Sequence, residues 1–318
     1  MNTRIFFYII LFFGNISINQ EKTQNGCLEY YEIANKAYCS YLSKDFDSSI
    51  KFYLDAFEVR PQGCNPTPHR NDQYLLAKAF FQKKKYLEGL DFLEDAITNG
   101  GLKWEIIAED SIIKNLPDNY KITKTRFNNL FSIWENKVDQ KLKKEVNKMI
   151  TDDQFYRKKA KFFFESEIDS IKELQKKLDS INAIKLKKII LTQGFPSFSK
   201  MGHDKAAGIL LHTSRNFRQI IFPYLLKEID KGNISPAYVG QMLDQELYLR
   251  INRQSMGFFL QFDENYNKDY VAFETNDIDS INIKRNRIGA VSLECYSKET
   301  GANLPISIKL NLKYNPKN

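Results

Sequence analysis

The residues of this chain best suited to chemistry lie between 194 and 257: His212, Asp244, Arg253 and Gln254, set among Gly194, Pro196, Gly202 and Gly257. An imidazole beside a carboxylate can act as a base with its orienting partner, and a guanidinium with an amide can stabilise an anionic substrate or transition state. That constellation reads as a hydrolase-like site; read structurally, the same His and Asp form a buried polar pair that fixes helix packing. No Gly-x-Ser-x-Gly elbow accompanies them. Arg285 and Arg287 are candidates for holding a carboxylate or phosphate, or for clamping a loop to a helix end. Four Cys and three His with no CxxC and no HExxH give no zinc pattern, so neither a metal nor a cofactor is expected.

Helices must position these groups. Apolar residues from Ile168 to Ile189 predict a long helix over 166–191, closed by Gly194 in a left-handed cap and by Pro196. Ser197 or Ser199 caps the next helix, which runs through Ala206 and Gly208 to His212 and sets Gly208 and His212 on one face. Ser214 opens a third helix that contains Pro223 and stops at Gly232. Ser235 and Pro236 open a fourth that carries Asp244 beside its apolar stripe. Upstream, steps of three and four from Leu130 to Val146 predict one helix over 127–149, with a new start at 151–153. Downstream, 258–262 and 270–273 read as a hairpin, 292–298 as a short helix and 306–314 as an alternating strand.

Residues 28–43 with 46–59, and 72–83 with 86–98, predict two helical hairpins in which small residues let helices approach and aromatics fill the gaps. Leu76, Ala77, Phe80, Tyr86, Gly89, Leu93 and Ala96 make the second hairpin resemble a tetratricopeptide repeat, and Ala37, Phe46, Ser49, Tyr53, Ala56 and Pro61 give the first a similar frame. Ala56 and Ala96 stand 40 residues apart, against about 34 for that repeat. The resemblance implies a groove that binds a protein or peptide partner; the alternative is a docking platform for the C-terminal domain, because so few repeats cannot bury their own faces. Residues 102–116 read as a further, degenerate helical unit.

From 153 to 296 the chain is similar to a bacterial domain family of unknown function that often follows such repeats in exported proteins. The positions carrying the similarity are Asp153, Arg157, Asn182, Gly194, Pro196, Gly202, His212, Pro223, Gly232, Asp244, Arg253, Gln254, Gly257, Arg285, Arg287 and Gly289. Asp244-Gln245 stands where the family has Asp-Arg, and Met256-Gly257-Phe258-Phe259 where it has Tyr-Gly-Thr-Gln.

The expected organisation is a signal segment (1–20), tetratricopeptide-like repeats (21–126), a connecting helix (127–150) and a helical domain (151–318) with a small C-terminal antiparallel sheet: mainly α, with an α+β tail. Arg4, the apolar run 5–13 and a polar stretch form the export signal, which places the protein in the periplasm or outside the cell; an uncleaved anchor or a buried cytosolic helix is the alternative. Export removes nucleic acid as a partner. Hydrophobic residues at 42% are ample for packed cores. Residues 137–188 hold 15 Lys and Arg against 9 Asp and Glu, which reads as a solvated helix face or, alternatively, as contact with an anionic membrane surface. An even cysteine number in an exported chain points to disulfides, with Cys27 and Cys64 at neighbouring ends of the first hairpin. Cys39 and Cys295 are expected buried or unpaired.

Overall fold

The computed structural model describes residues 26–61, 64, 71–159, 165–262, 268–305 and 308. The chain is mainly α with a small β element. Helices α1 (Cys27–Leu42) and α2 (Phe46–Val59) form one antiparallel hairpin, α3 (Asp72–Gln82) and α4 (Tyr86–Thr98) a second. Both hairpins turn on a lysine in the left-handed region, Lys44 and Lys84, forty residues apart, so the sequence interval recurs in the backbone. Asp45 and Asn71 cap α2 and α3 through their side chains. Between the hairpins runs an aromatic stack, Tyr30 on Phe57, Phe57 on Phe92 and Phe92 on Phe80, with centroids 6.2, 6.2 and 5.6 Å apart. Gly89 lets α4 close on the Phe81 ring, which a Cβ would meet at 2.3 Å.

The unit expected over 102–116 is two short helices, α5 (Trp104–Glu109) and α6 (Ser111–Lys114), with a 3-10 turn at Asp118–Tyr120. The single helix expected over 127–149 is instead α7 (Lys124–Glu135) and α8 (Gln140–Lys159). Asp139 makes the break: its side chain accepts from Leu142 N–H at 2.9 Å, and its own N–H donates to Lys200 O at 2.8 Å. The break turns Trp134 and Val138 together onto Gly202, and Trp134 onto Phe198. Helix α8 then runs without interruption through 151–153, so the expected boundary after residue 150 falls inside it.

Helix α9 (Glu165–Gln193) packs along α8 and stops at Gly194, φ +75°. The helix expected from Ser199 to His212 is two short pieces, α10 (Phe198–Met201) and α11 (Ala206–Leu210); His212 lies beyond the second, and Gly208 has no close neighbour to admit. Ser214 caps α12 (Arg215–Asp230) and Ser235 caps α13 (Pro236–Ile251), both as read from sequence. Strands β1 (Leu260–Phe262) and β2 (Lys268–Tyr270) pair antiparallel, Leu260 opposite Tyr270. Helix α14 (Ile278–Arg287) had no sequence expectation; α15 (Leu293–Thr300) did, with Ser292 as its cap. The strand read over 306–314 lies outside the described residues except Ile308, which is buried.

The C-terminal segment returns to α1. Asn35 Nδ2 donates to Gly289 O at 3.1 Å, Lys298 Nζ to Ser43 Oγ at 3.0 Å, and Tyr38 packs with Val291 and Cys295. Gly289, at φ +75°, lets that loop lie against Tyr31, where a Cβ would sit 2.8 Å from the ring. Cys27 bonds to Cys64 as expected, but Cys39 and Cys295 are also joined, which corrects the expectation that both stay unlinked. Packing α15 across the last turn of α1 brings these two within reach, and nothing local to either cysteine announces it.

Candidate functional site

Helices α8 and α9 face each other through a run of polar groups. Asp153, 3% exposed, lies on α8; one turn on, Arg157 Nη2 reaches its Oδ1 at 3.4 Å and Asp179 Oδ1 of α9 at 2.6 Å. Gln175 Nε2 donates to the same Asp179 oxygen at 2.6 Å and to Asp153 O at 3.1 Å; Gln154 Nε2 donates to Asp153 Oδ2 at 2.7 Å. One helical turn along α9, buried Asn182 donates to Met149 O at 3.1 Å. The turn after α11 sets His212 against this network, its Nε2 3.8 Å from Asp153 Oδ2 and its side chain 32% exposed. Burial holds the imidazole below its ordinary pKa; Asp153 pulls it up, and Arg157 and Arg218 push it down. His212 therefore stands neutral near pH 7, with one nitrogen towards a carboxylate. Arg157 Nε, Gln175 Oε1 and Asn182 Oδ1 are buried with no hydrogen-bond partner among the described residues.

Asp244 is not the carboxylate beside His212. It is fully buried on α13 and accepts from the backbone N–H groups of Ser255, Met256 and Phe258 at 2.8, 3.0 and 2.8 Å, and from Ser255 Oγ at 3.2 Å. Burial pushes its carboxyl up against those donors. Gln254 clasps the same turn: its Oε1 accepts from Phe259 N–H at 2.9 Å, and its Nε2 donates to Val271 O at 2.7 Å. Arg253 is exposed and donates to Phe273 O at 2.8 Å. The four sequence candidates thus divide: Asp244, Gln254 and Arg253 pin residues 253–259 and 271–273, while His212 belongs to the α8–α9 network.

Arg285 and Arg287 do not form a joint anion clamp. Two residues apart on α14, they point to different sides: Arg287 is exposed and Arg285 fully buried. The Arg285 guanidinium donates to Met256 O and Val291 O and lies 4.1 Å from the Phe258 ring centroid and 4.8 Å from that of Tyr296. Burial lowers its pKa to about 10. Asp244 and Arg285 therefore hold the 255–258 turn from opposite sides, one through its N–H groups and one through a carbonyl. A cavity of about 220 Å³ beside Phe258 and Tyr296, bounded by Asn35 and Pro236, touches none of the His212 network. Among the described residues no group of three His, Cys, Asp or Glu is arranged to hold a metal ion.

Sequence reading singled out His212 but met Asp153 and Arg157 only as a helix start and positions of family similarity, and gave Gln175 and Asp179 no role. Two signals were available: opposite charges four apart on one helix face at Asp153 and Arg157, and polar Gln175, Asp179 and Asn182 recurring on one flank of an otherwise apolar seam. No protein-family model, no curated protein and no solved structure matches this chain.

Proposed function

We propose that this protein is an exported bacterial binding module in which tetratricopeptide-like hairpins serve as the platform and the C-terminal domain, a relative of the family of unknown function it resembles, takes a small polar ligand at His212. The observation that carries the reading is the half-open imidazole 3.8 Å from a buried carboxylate, in a network with three buried polar atoms that have no partner among the described residues. Buried polar groups without partners are uncommon, and a ligand or an ordered water is the usual reason for one. The platform role draws support from α1, whose Asn35, Tyr38 and Cys39 meet the chain's own C-terminal segment and so offer no free face to a peptide there. Export draws support from the N-terminal signal pattern and from two disulfides.

A second reading, an acid–base hydrolase, has one observation in its favour: a neutral, partly exposed His with a carboxylate 3.8 Å from its Nε2, Asp153 standing where Asp244 was expected. With three His in the chain, the His212 ring resonance is readily assigned by comparison with His212→Gln. Titrating the protein with a panel of small carboxylates, amino acids and sugars should move that resonance for any compound that also raises the melting temperature. Arg157→Gln should weaken the response at least tenfold. Compounds that stabilise the protein while leaving His212 unmoved would place the ligand elsewhere and sink the reading.

A further inference from the structure

The outer face of α9 carries a second feature, one that no described residue covers. Leu174, Ile181, Ile184 and Leu191 are 46, 39, 71 and 50% exposed although all are large and aliphatic. At 100° per residue they fall on one arc of the helix, opposite the buried Gln175, Asn182, Leu186 and Ile190. Lys177, Lys185 and Lys188 are exposed on the same arc, and none of them forms an ion pair among the described residues. No acid stands on that arc between Leu174 and Leu191. The stripe is about 25 Å long, from seventeen residues at the helical rise. Elsewhere lysines of this region pair within a turn, as Lys172 does with Asp169 and Lys176 with Glu173, which makes an acid-free stretch of three lysines distinctive.

We propose that this face of α9 lies flat on an anionic lipid surface. Aliphatic side chains interleaved with lysines, on a convex cylinder and not in a groove, suit an interface in which the apolar ends enter the acyl boundary while the lysine stems run up to the phosphates. Charge selects the lipid: three unpaired ammonium groups on one line gain from an anionic leaflet and nothing from a neutral one. An acidic protein would satisfy the lysines, but it would need a matching apolar ridge to cover four aliphatic side chains, whereas a bilayer supplies both everywhere. The inner flank of the same helix carries Gln175, Asp179 and Asn182, so docking would set the His212 network one helix diameter from the membrane.

The test is flotation of the full chain with vesicles of phosphatidylcholine alone and with phosphatidylglycerol added. The N-terminal apolar segment is common to every variant, so the anionic increment in binding is the quantity to compare. For the native chain we expect a strong increment that collapses in 0.5 M salt. Lys177→Gln, Lys185→Gln and Lys188→Gln combined should cut it roughly a hundredfold. Ile184→Asp with Leu191→Asp should cut binding at least tenfold in low salt, with unchanged far-UV circular dichroism because both positions are exposed. Variants that bind as the native chain does would overturn the proposal. So would a native chain that ignores anionic vesicles, including one found instead to capture an acidic protein through these residues.

Discussion

His212 gives up hydration where it meets α8, and that loss outweighs the attraction of Asp153, so its proton leaves below the ordinary 6.5. Between the folded and unfolded values the unfolded chain binds more protons. The neutral imidazole's contribution to stability is therefore complete above about pH 6.5 and declines as pH falls towards the folded value. Asp153→Asn deletes the one neighbour pulling the proton on most strongly, so the His212 titration midpoint should fall further, while Arg157→Gln should raise it; ring-proton NMR across pH 4–8 reads both. An unchanged midpoint in both variants would mean that Asp153 and Arg157 do not govern this ring. The imidazole itself was legible from residue type. Its carboxylate was not, because the pairing crosses from the turn after α11 to α8 and follows from how those helices pack, not from any spacing near His212.

At the scale of elements, local chemistry foretold what local chemistry decides. Ser214, Ser235 with Pro236, and Ser292 each begin a helix where a cap hydroxyl is followed by a helical pattern, and Gly194 and Gly232 end helices in the left-handed region. The break at 136–139 escaped because the apolar period continues across it; Trp134 and Val138 are pulled onto Gly202 by a partner some sixty residues away in sequence. The 253–259 segment is an element of another kind, an irregular turn organised by Asp244, Gln254 and Arg285 in place of a ladder. Asp244→Ala would leave the N–H groups of Ser255, Met256 and Phe258 without their acceptor. Since bonds to a charged group each contribute about 1.5–3 kcal/mol, a loss of at least about 3 kcal/mol is expected in urea denaturation. Asp244→Asn, which keeps an acceptor oxygen, should cost less. If Asp244→Ala changed stability by under about 1 kcal/mol, the carboxylate would not be what holds the turn.

For the whole molecule, the class of fold was readable and the closure of the fold was not. Small and aromatic residues at helical spacing announced the hairpins, but the return of α15 onto α1 rests on contacts between residues more than 250 positions apart. The Cys39–Cys295 link spans 256 residues and the Cys27–Cys64 link 37. Loop-closure entropy alone gives about 5.5 kcal/mol for the first and about 4 kcal/mol for the second. Replacing Cys39 and Cys295 by Ser should accordingly lower the urea midpoint more than replacing Cys27 and Cys64, measured without reductant. The reverse order would mean that the hairpin link, not the closing one, governs the stability of the fold.

The two links also interlock in sequence, in the order 27, 39, 64, 295: the second bridge opens inside the first, and the first closes inside the second. A single peptide bond cut anywhere between Cys27 and Cys295 therefore frees no fragment: whichever stretch is severed, one bridge still crosses the gap. A protease that nicks a loop within this span leaves both pieces bound to α1, with the His212 network and the α9 face still tied to the hairpins.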